Sequence, residues 1–265
     1  MGEGIRYVLM DPSGNRTILV ETEVPVQLQP AVASKLMEME PTAEQTGFLR
    51  TSSAETGPVS ADIQVFLRMA GGEFCGNASM SAAVWYCMQQ GVREGQLKLS
   101  VSGASEPVEV SVKSLPDGTW KGSVSMPGPS RIETVSFSEE YCFPVVTFPG
   151  ISHVIVEKEI PKERAEDLVR QWCSFLGTDA LGIMFLDRIR SVLTPLVYVP
   201  AVNTLFWESA CGSGTTAIGA WLAAKSGSEI NLSLRQPGGV MEISAEKNGT
   251  LRLGGTVRVV GEGSC

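Results

Sequence analysis

Much of this chain is written twice. Val20-Glu21-Thr22-Glu23-Val24-Pro25 returns as Val156-Glu157-Lys158-Glu159-Ile160-Pro161, 136 residues later. At the same offset Cys75 returns as Cys211, Trp85 as Trp221 and Gly91 as Gly227. Asp117-Gly118-Thr119 is echoed by Asn248-Gly249-Thr250 at an offset of 131, so a few residues are lost in between. A period of about half the 265 residues calls for two similar domains rather than a solenoid of short repeats. The division falls at residues 1–128, carrying Cys75, and 129–265, carrying Cys211, with the final strand able to cross back to the first half. The expected active site lies in the cleft between them.

Local patterns fill in each half. Tyr7–Met10 reads as a strand, Asp11-Pro12-Ser13-Gly14-Asn15 as a turn, and Thr17–Val20 as a second strand. A helix fits Pro30–Met39, Ser52–Pro58 is a polar loop, and Ile63–Met69 is a strand that runs into the first cysteine. After Cys75 a helix fits Ala78–Gln90, with Gly91 as its stop. Leu97–Val101, Val108–Val112 and Trp120–Met126 read as strands, the last two joined by the Asp117-Gly118 turn. Pro127–Glu140 reads as the connector between halves. The helix after each cysteine is apolar nearly all round, so it must be buried. Trp85 and Trp221 are core residues on it. The expected fold class is α+β: two similar domains, each a mostly antiparallel sheet wrapped around a central helix.

Composition narrows the function classes. Net charge is −8, from 29 acids and 21 bases, which disfavours nucleic acid and anionic membranes as partners. No stretch has the length of a membrane span, and the first ten residues hold no apolar run of signal-peptide length. A cytoplasmic protein with reduced thiols is expected. Its six cysteines include no CxxC pair and its one histidine is His153, so no metal site is expected. His153 is read as structural. Cys87, Cys142 and Cys173 are read as small core hydrophobes, and Cys265 as terminal.

Cys75 and Cys211 are different. Each is followed at once by small and polar residues and then by a helix. A helix N-terminus presents unpaired N–H groups and a positive dipole end, which lowers a thiol's pKa and binds anions such as carboxylates. Gly76, Gly212 and Gly214 leave the backbone open to a ligand. Two such ends meeting one carboxylate would put a sulfur on either side of the adjacent carbon. One thiolate would remove the α-proton and the other thiol would return a proton on the opposite face. Two low-pKa thiols so placed are also prone to oxidise to each other. Glu73 and Glu208 stand within three residues of a cysteine, as candidates for substrate contact or thiol tuning.

The segments Phe74-Cys75-Gly76-Asn77-Ala78-Ser79 and Ala210-Cys211-Gly212-Ser213-Gly214-Thr215 resemble the paired motifs of the diaminopimelate epimerase-like superfamily, which are racemases and epimerases without cofactor. Asp11-Pro12-Ser13-Gly14-Asn15 is similar to that superfamily's N-terminal turn, and Glu44-Gln45 falls at its substrate-side glutamine. The likeness covers essentially the whole chain. The Glu-Arg-Gly segment of the diaminopimelate enzymes is replaced by Asn203-Thr204-Leu205-Phe206-Trp207, so their arginine for the distal carboxylate is missing. Longer strings, among them Gly71–Ser81 and the Leu205–Gly214 segment, look like the histidine racemase branch that supplies D-histidine for metallophores. That resemblance implies Cys75 and Cys211 as the two bases, with Asn15, Glu44, Gln45, Gly76, Asn77, Glu208, Gly212 and Ser213 around the substrate. It also implies a small-molecule amino-acid substrate, no cofactor, and compatibility with a homodimer. L-histidine is the favoured substrate and diaminopimelate the alternative. A non-catalytic amino-acid-binding protein or a thiol redox sensor is the reading from another class.

Overall fold

A computed structural model describes residues 4–51 and 63–265. The polar loop expected over Ser52–Pro58 lies outside them. The first half runs β1 (Arg6–Pro12), β2 (Thr17–Val20), α1 (Gln29–Met39), β3 (Gln45–Thr51), β4 (Ile63–Met69), α2 (Gly76–Gln89), β5 (Glu94–Val101), β6 (Val108–Ser114) and β7 (Trp120–Met126). The second runs β8 (Arg131–Ser136), β9 (Cys142–Phe148), β10 (Ile151–Val156), α3 (Lys162–Leu176), β11 (Leu181–Asp187), β12 (Val192–Val199) and β13 (Thr204–Trp207). It ends with α4 (Gly212–Ser226), β14 (Ile230–Gln236), β15 (Gly239–Ala245) and β16 (Leu251–Ser264). Two compact units result: Met1–Ser125 with Gly254–Cys265, and Met126–Leu253. The 136-residue offset relates β1 to β9 residue for residue, as well as α2 to α4 at their first turns.

The two helices of each unit differ because their sequences do. α3 buries Ala165, Leu168, Val169, Trp172 and Cys173, a single stripe at helical spacing. It lies on the outer face of its sheet, against Val145, Val154, Val156, Leu181 and Ile183. The alternate residues of those strands, Val146, Ile155 and Met184, face the other way and pack with Ala217, Ile218 and Trp221 of α4. Period-two strands thus serve both helices at once. In the first unit Ile18 and Val20 of β2 pack with Ala33 and Leu36 of α1. α2 is the internal helix: ten consecutive residues from Gly76 to Trp85 are buried, and it touches β1 through β6.

Each helix also solves a connection problem. β2–β3 and β4–β5 are parallel pairs, as are β10–β11 and β12–β14. A parallel pair cannot be closed by a tight turn and needs a crossover. α1 and α3 cross outside the sheet; α2 and α4 cross inside it. Antiparallel pairings join most of the other strands, among them β1 with β16, where Tyr7 opposes Gly263 and Pro12 opposes Val257. In the first unit the strand path runs β1 to β7 and on to β16, which returns to β1. The sheet is therefore wrapped around α2, and the expected α+β architecture is what the chain adopts.

Two expectations fail here. Pro127–Glu140 is not a plain connector: residues 131–136 form β8, paired with β9 from Arg131↔Thr147 to Ser136↔Cys142. An edge strand needs only one partner, so its alternation was too weak to read. Cys142 is exposed at the start of β9, opposite that edge, instead of packed in the core. Cys87 and Cys173 are buried as expected.

Candidate active site

Cys75 and Cys211 each occupy the N-cap of an internal helix, in nearly the same backbone conformation. Their φ/ψ values are −136/113 and −114/107. The cap role falls to sulfur: Ala78 N–H donates to Cys75 Sγ at 3.4 Å, and Gly214 N–H to Cys211 Sγ at 3.4 Å. Ser79 and Thr215 each donate a hydroxyl to the cysteine carbonyl, at 2.7 Å, locking the first turn. A Cβ at Gly214 would run into Met184 Sδ, so the helix start packs closely on that side chain.

Around Cys75 the polar groups form one directed chain. The thiol donates to Gln45 Oε1 at 3.2 Å. Gln45 Nε2 donates to Asn15 Oδ1 at 2.6 Å and to Thr17 Oγ1 at 2.8 Å. Thr17 spends its own proton on the Asn15 carbonyl, so its oxygen can only accept from Gln45. Asn15 Nδ2 donates to Glu44 Oε2 at 2.6 Å, and Asn77 Nδ2 donates to Asn15 Oδ1 at 3.1 Å. The Glu44 carboxylate orients Asn15, Asn15 orients Gln45, and Gln45 presents an acceptor to the sulfur. Asn77 is buried, and its Oδ1 has no protein partner. The turn that delivers Asn15 is itself anchored. Gly14 N–H donates to Asp11 Oδ1 at 2.6 Å, and Arg258 of β16 reaches Asp11 Oδ2 at 2.8 Å.

Cys211 has a different shell. Ser213 Oγ stands 3.6 Å from its sulfur and 3.0 Å from His153 Nε2. Its backbone N–H donates to Gln236 Oε1 at 2.8 Å, and Gln236 Nε2 donates to Thr215 Oγ1 at 2.8 Å. Glu208, three residues upstream, acts on the thiol both through its charge and as a hydrogen-bond acceptor.

These surroundings reverse the expected thiol chemistry. Burial pushes the Cys75 thiol up to about 11; the Ala78 N–H pulls the other way, and the Glu73 charge adds to the rise. An amide N–H from Gln45 would lower it, but Gln45 offers oxygen, which favours the protonated form. Burial raises Cys211 well above the ordinary value, and Glu208 raises it further. Desolvation outweighs the helix N-terminus at both sites, so each cysteine rests as a thiol. A part-exposed Cys75 and a buried Cys211 share this result because both sulfurs are ringed by protein.

His153 was read as structural, and the structure gives it more. It is fully buried, and a Cβ on Gly182 would collide with its Nδ1, so only glycine leaves room for the ring. Nδ1 has no partner. Placing the proton on Nε2 avoids burying an unpaired N–H; the ring then donates to Ser213, whose own proton is free for Cys211 Sγ. Burial lowers the His153 pKa to about 3, so the imidazole is neutral. An unfolded chain would take up that proton near pH 6.5. Stability from this group is therefore complete above pH 6.5 and is lost as pH falls toward 3, by up to about 1.4 kcal/mol per pH unit. Urea melts at pH 7, 6, 5 and 4 should show that extra slope in the wild type and not in His153→Asn. Parallel curves would contradict it.

The residues expected at the site thus fall into two networks. Asn15, Glu44, Gln45, Gly76 and Asn77 surround Cys75, while Glu208, Gly212 and Ser213 surround Cys211. Sequence reasoning missed His153, Gln236, Thr17 and the Asp11–Arg258 anchor, each of which joins residues far apart in the chain.

Comparison with known proteins extends this picture. A family model described as the histidine racemase CntK N-terminal domain matches residues 4–265. A histidine racemase of Fusobacterium nucleatum subsp. nucleatum is 32% identical over 97% of this chain and 95% of its own. One from Staphylococcus aureus is 29% identical over 92% of this chain and 89% of its own. Among solved structures, a phenazine biosynthesis protein of the PhzF family from Bacillus anthracis superposes with a TM-score of 0.73. It is 13% identical and covers 100% of this chain and 99% of its own, so the likeness is one of fold. Among the described residues no helix is long and apolar enough to cross a membrane, and no cluster of three or more His, Cys, Asp or Glu is suited to a metal. With the family match running almost end to end, the chain belongs to the histidine racemase family.

Proposed function

We propose that this protein is a cofactor-independent amino-acid racemase that interconverts L- and D-histidine, with Cys75 and Cys211 as its two bases. The observation that carries the reading is the duplicated cap: two cysteines at N-caps of internal helices, each with its sulfur held by the third amide of the helix. One thiolate takes the α-proton, becoming a thiol and leaving a carbanion. The other thiol protonates that carbon on its opposite face, becoming the thiolate. Atoms and charge balance, and the reverse direction uses the cysteines in exchanged roles.

The raised thiol pKa values suit this chemistry once substrate is present. A sulfur of high pKa is a strong base when ionised, and the substrate's ammonium supplies the positive charge that favours its ionisation. The first-turn N–H groups at Gly76, Asn77, Gly212 and Ser213 suit the carboxylate, where charge gathers as the carbanion forms. Asn77 Oδ1, buried and unpartnered, suits the ammonium. Asn15, Glu44, Gln45 and Glu208 are assigned to holding the amino acid. A role in metallophore biosynthesis and a cytoplasmic location fit the same reading.

The test is chiral chromatography of a substrate panel. L-histidine, D-histidine, the diaminopimelate isomers and the common amino acids are each incubated with the protein. Racemisation of both histidine enantiomers at comparable rates is expected. Inversion of diaminopimelate in preference would move the substrate assignment, and no inversion of any amino acid would end the racemase reading.

A further inference from the structure

The outer face of the first unit carries a groove of about 420 Å³ that none of the chemistry above uses. Its floor is β3, β4 and the end of β5; its wall is the segment from Thr22 to Val26 with Gln29 at the start of α1. Strand register makes the floor a checkerboard: Phe48 opposes Arg68, and Arg50 opposes Phe66. Opposed residues of an antiparallel pair share a face. Two guanidinium groups therefore stand on one diagonal of this face and two aromatic rings on the other.

Like charges held close together on one face repel unless something offsets them. Among the described residues no carboxylate pairs with Arg50 or Arg68. That is unusual in a chain of net charge −8. Glu23 lines the groove and is exposed; it leaves the cations in excess. Arg50 lies 5.1 Å above the Phe66 ring, which flattens the guanidinium against an apolar surface and leaves its N–H edge free. Gln29 is 6% exposed, gives its amide N–H to the Val24 carbonyl, and has no partner for Oε1. Ser102 and Val101 close the far side. The volume lies in the range of small-molecule sites.

We infer that this groove binds a small organic anion: a carboxylate or phosphate ester on a flat apolar body. The anion pairs with Arg50 and Arg68, and the body covers Phe66 and Val24. The site is not isolated from the chemistry of the unit. A Cβ on Gly72 would lie 3.5 Å from an Arg68 nitrogen, so Arg68 rests on the turn just before Cys75.

The experiment uses two probes without an amine, benzoate and phenyl phosphate, titrated calorimetrically into the full chain at low salt. Inorganic phosphate is the control for charge without the apolar body. Saturable one-to-one binding of at least one probe is expected, tighter than inorganic phosphate. Arg50→Gln should weaken it about 10-fold, the loss of a charge-assisted contact, and Arg50→Gln with Arg68→Gln should abolish it. Which probe wins tells carboxylate from phosphate ester. Both substitutions are at exposed surface positions, and matching melting temperatures verify the fold. Unchanged affinity in the double variant, or no saturable binding of either probe, would overturn the inference.

Discussion

Cys75→Ser and Cys211→Ser should each slow histidine racemisation by about 10²–10⁴-fold, the range for removing a positioned acid or base. Serine keeps the structural part of the cysteine's role. Serine is a good N-cap residue, so either variant retains the helix cap and should melt near the wild-type temperature. It also retains the hydrogen-bond partners: Gln45 Oε1 can accept from a hydroxyl as it does from the thiol. What is lost is a thiol, far more acidic than an alcohol, which the substrate's ammonium can help to ionise. A variant with one cysteine left should still exchange the α-proton of a single enantiomer, the one its remaining sulfur faces. Near-full racemisation in either variant would remove that cysteine from the mechanism.

Alkylation of the free protein at pH 8 should spare Cys75 and Cys211 while modifying exposed Cys142. An ordinary thiol near 8.5 is about one-quarter thiolate at that pH. With its pKa pushed to about 11, Cys75 is about 0.1% thiolate. Cys211, buried and beside Glu208, is also raised well above the ordinary value. Against a free model thiol, the expected slowing of iodoacetamide labelling at Cys75, followed by peptide mass spectrometry, is on the order of 100-fold. Fast labelling of Cys75 at neutral pH would mean that the helix N-terminus, not desolvation, sets its pKa. The small thiolate fraction also makes air oxidation of these thiols slow in the absence of substrate, because oxidation begins from the thiolate.

The fold and the candidate site were legible for a reason that rarely applies to single chains. Duplication let one half be read against the other, so Cys75 and Cys211 stood out from four other cysteines without any view of the structure. The all-apolar stretch after each of them marked an internal helix, and the residue before such a helix is its cap. What was not legible is what distance in sequence hides. His153 reaches Ser213 across 60 residues, and Cys211 N–H finds Gln236 across 25. Neither contact leaves a periodic trace. The thiol pKa values were misjudged on the same ground: the helix dipole is a local property and can be inferred from Cys75-Gly76, whereas desolvation depends on everything packed around the sulfur. The two halves also diverge where they matter, Gln45 facing one sulfur and Glu208 the other, and a repeat argument is blind to such differences.

The central claim is that two different groups exchange the α-proton. It is tested most directly by incubating L-histidine with the protein in D₂O and stopping early. The account predicts that the D-histidine formed carries deuterium at the α-carbon while the unreacted L-histidine still carries protium, and that D-histidine as substrate gives the mirror result. Deuterium entering the unreacted enantiomer as fast as inversion occurs would mean that one base serves both faces, and would contradict the pairing of Cys75 with Cys211.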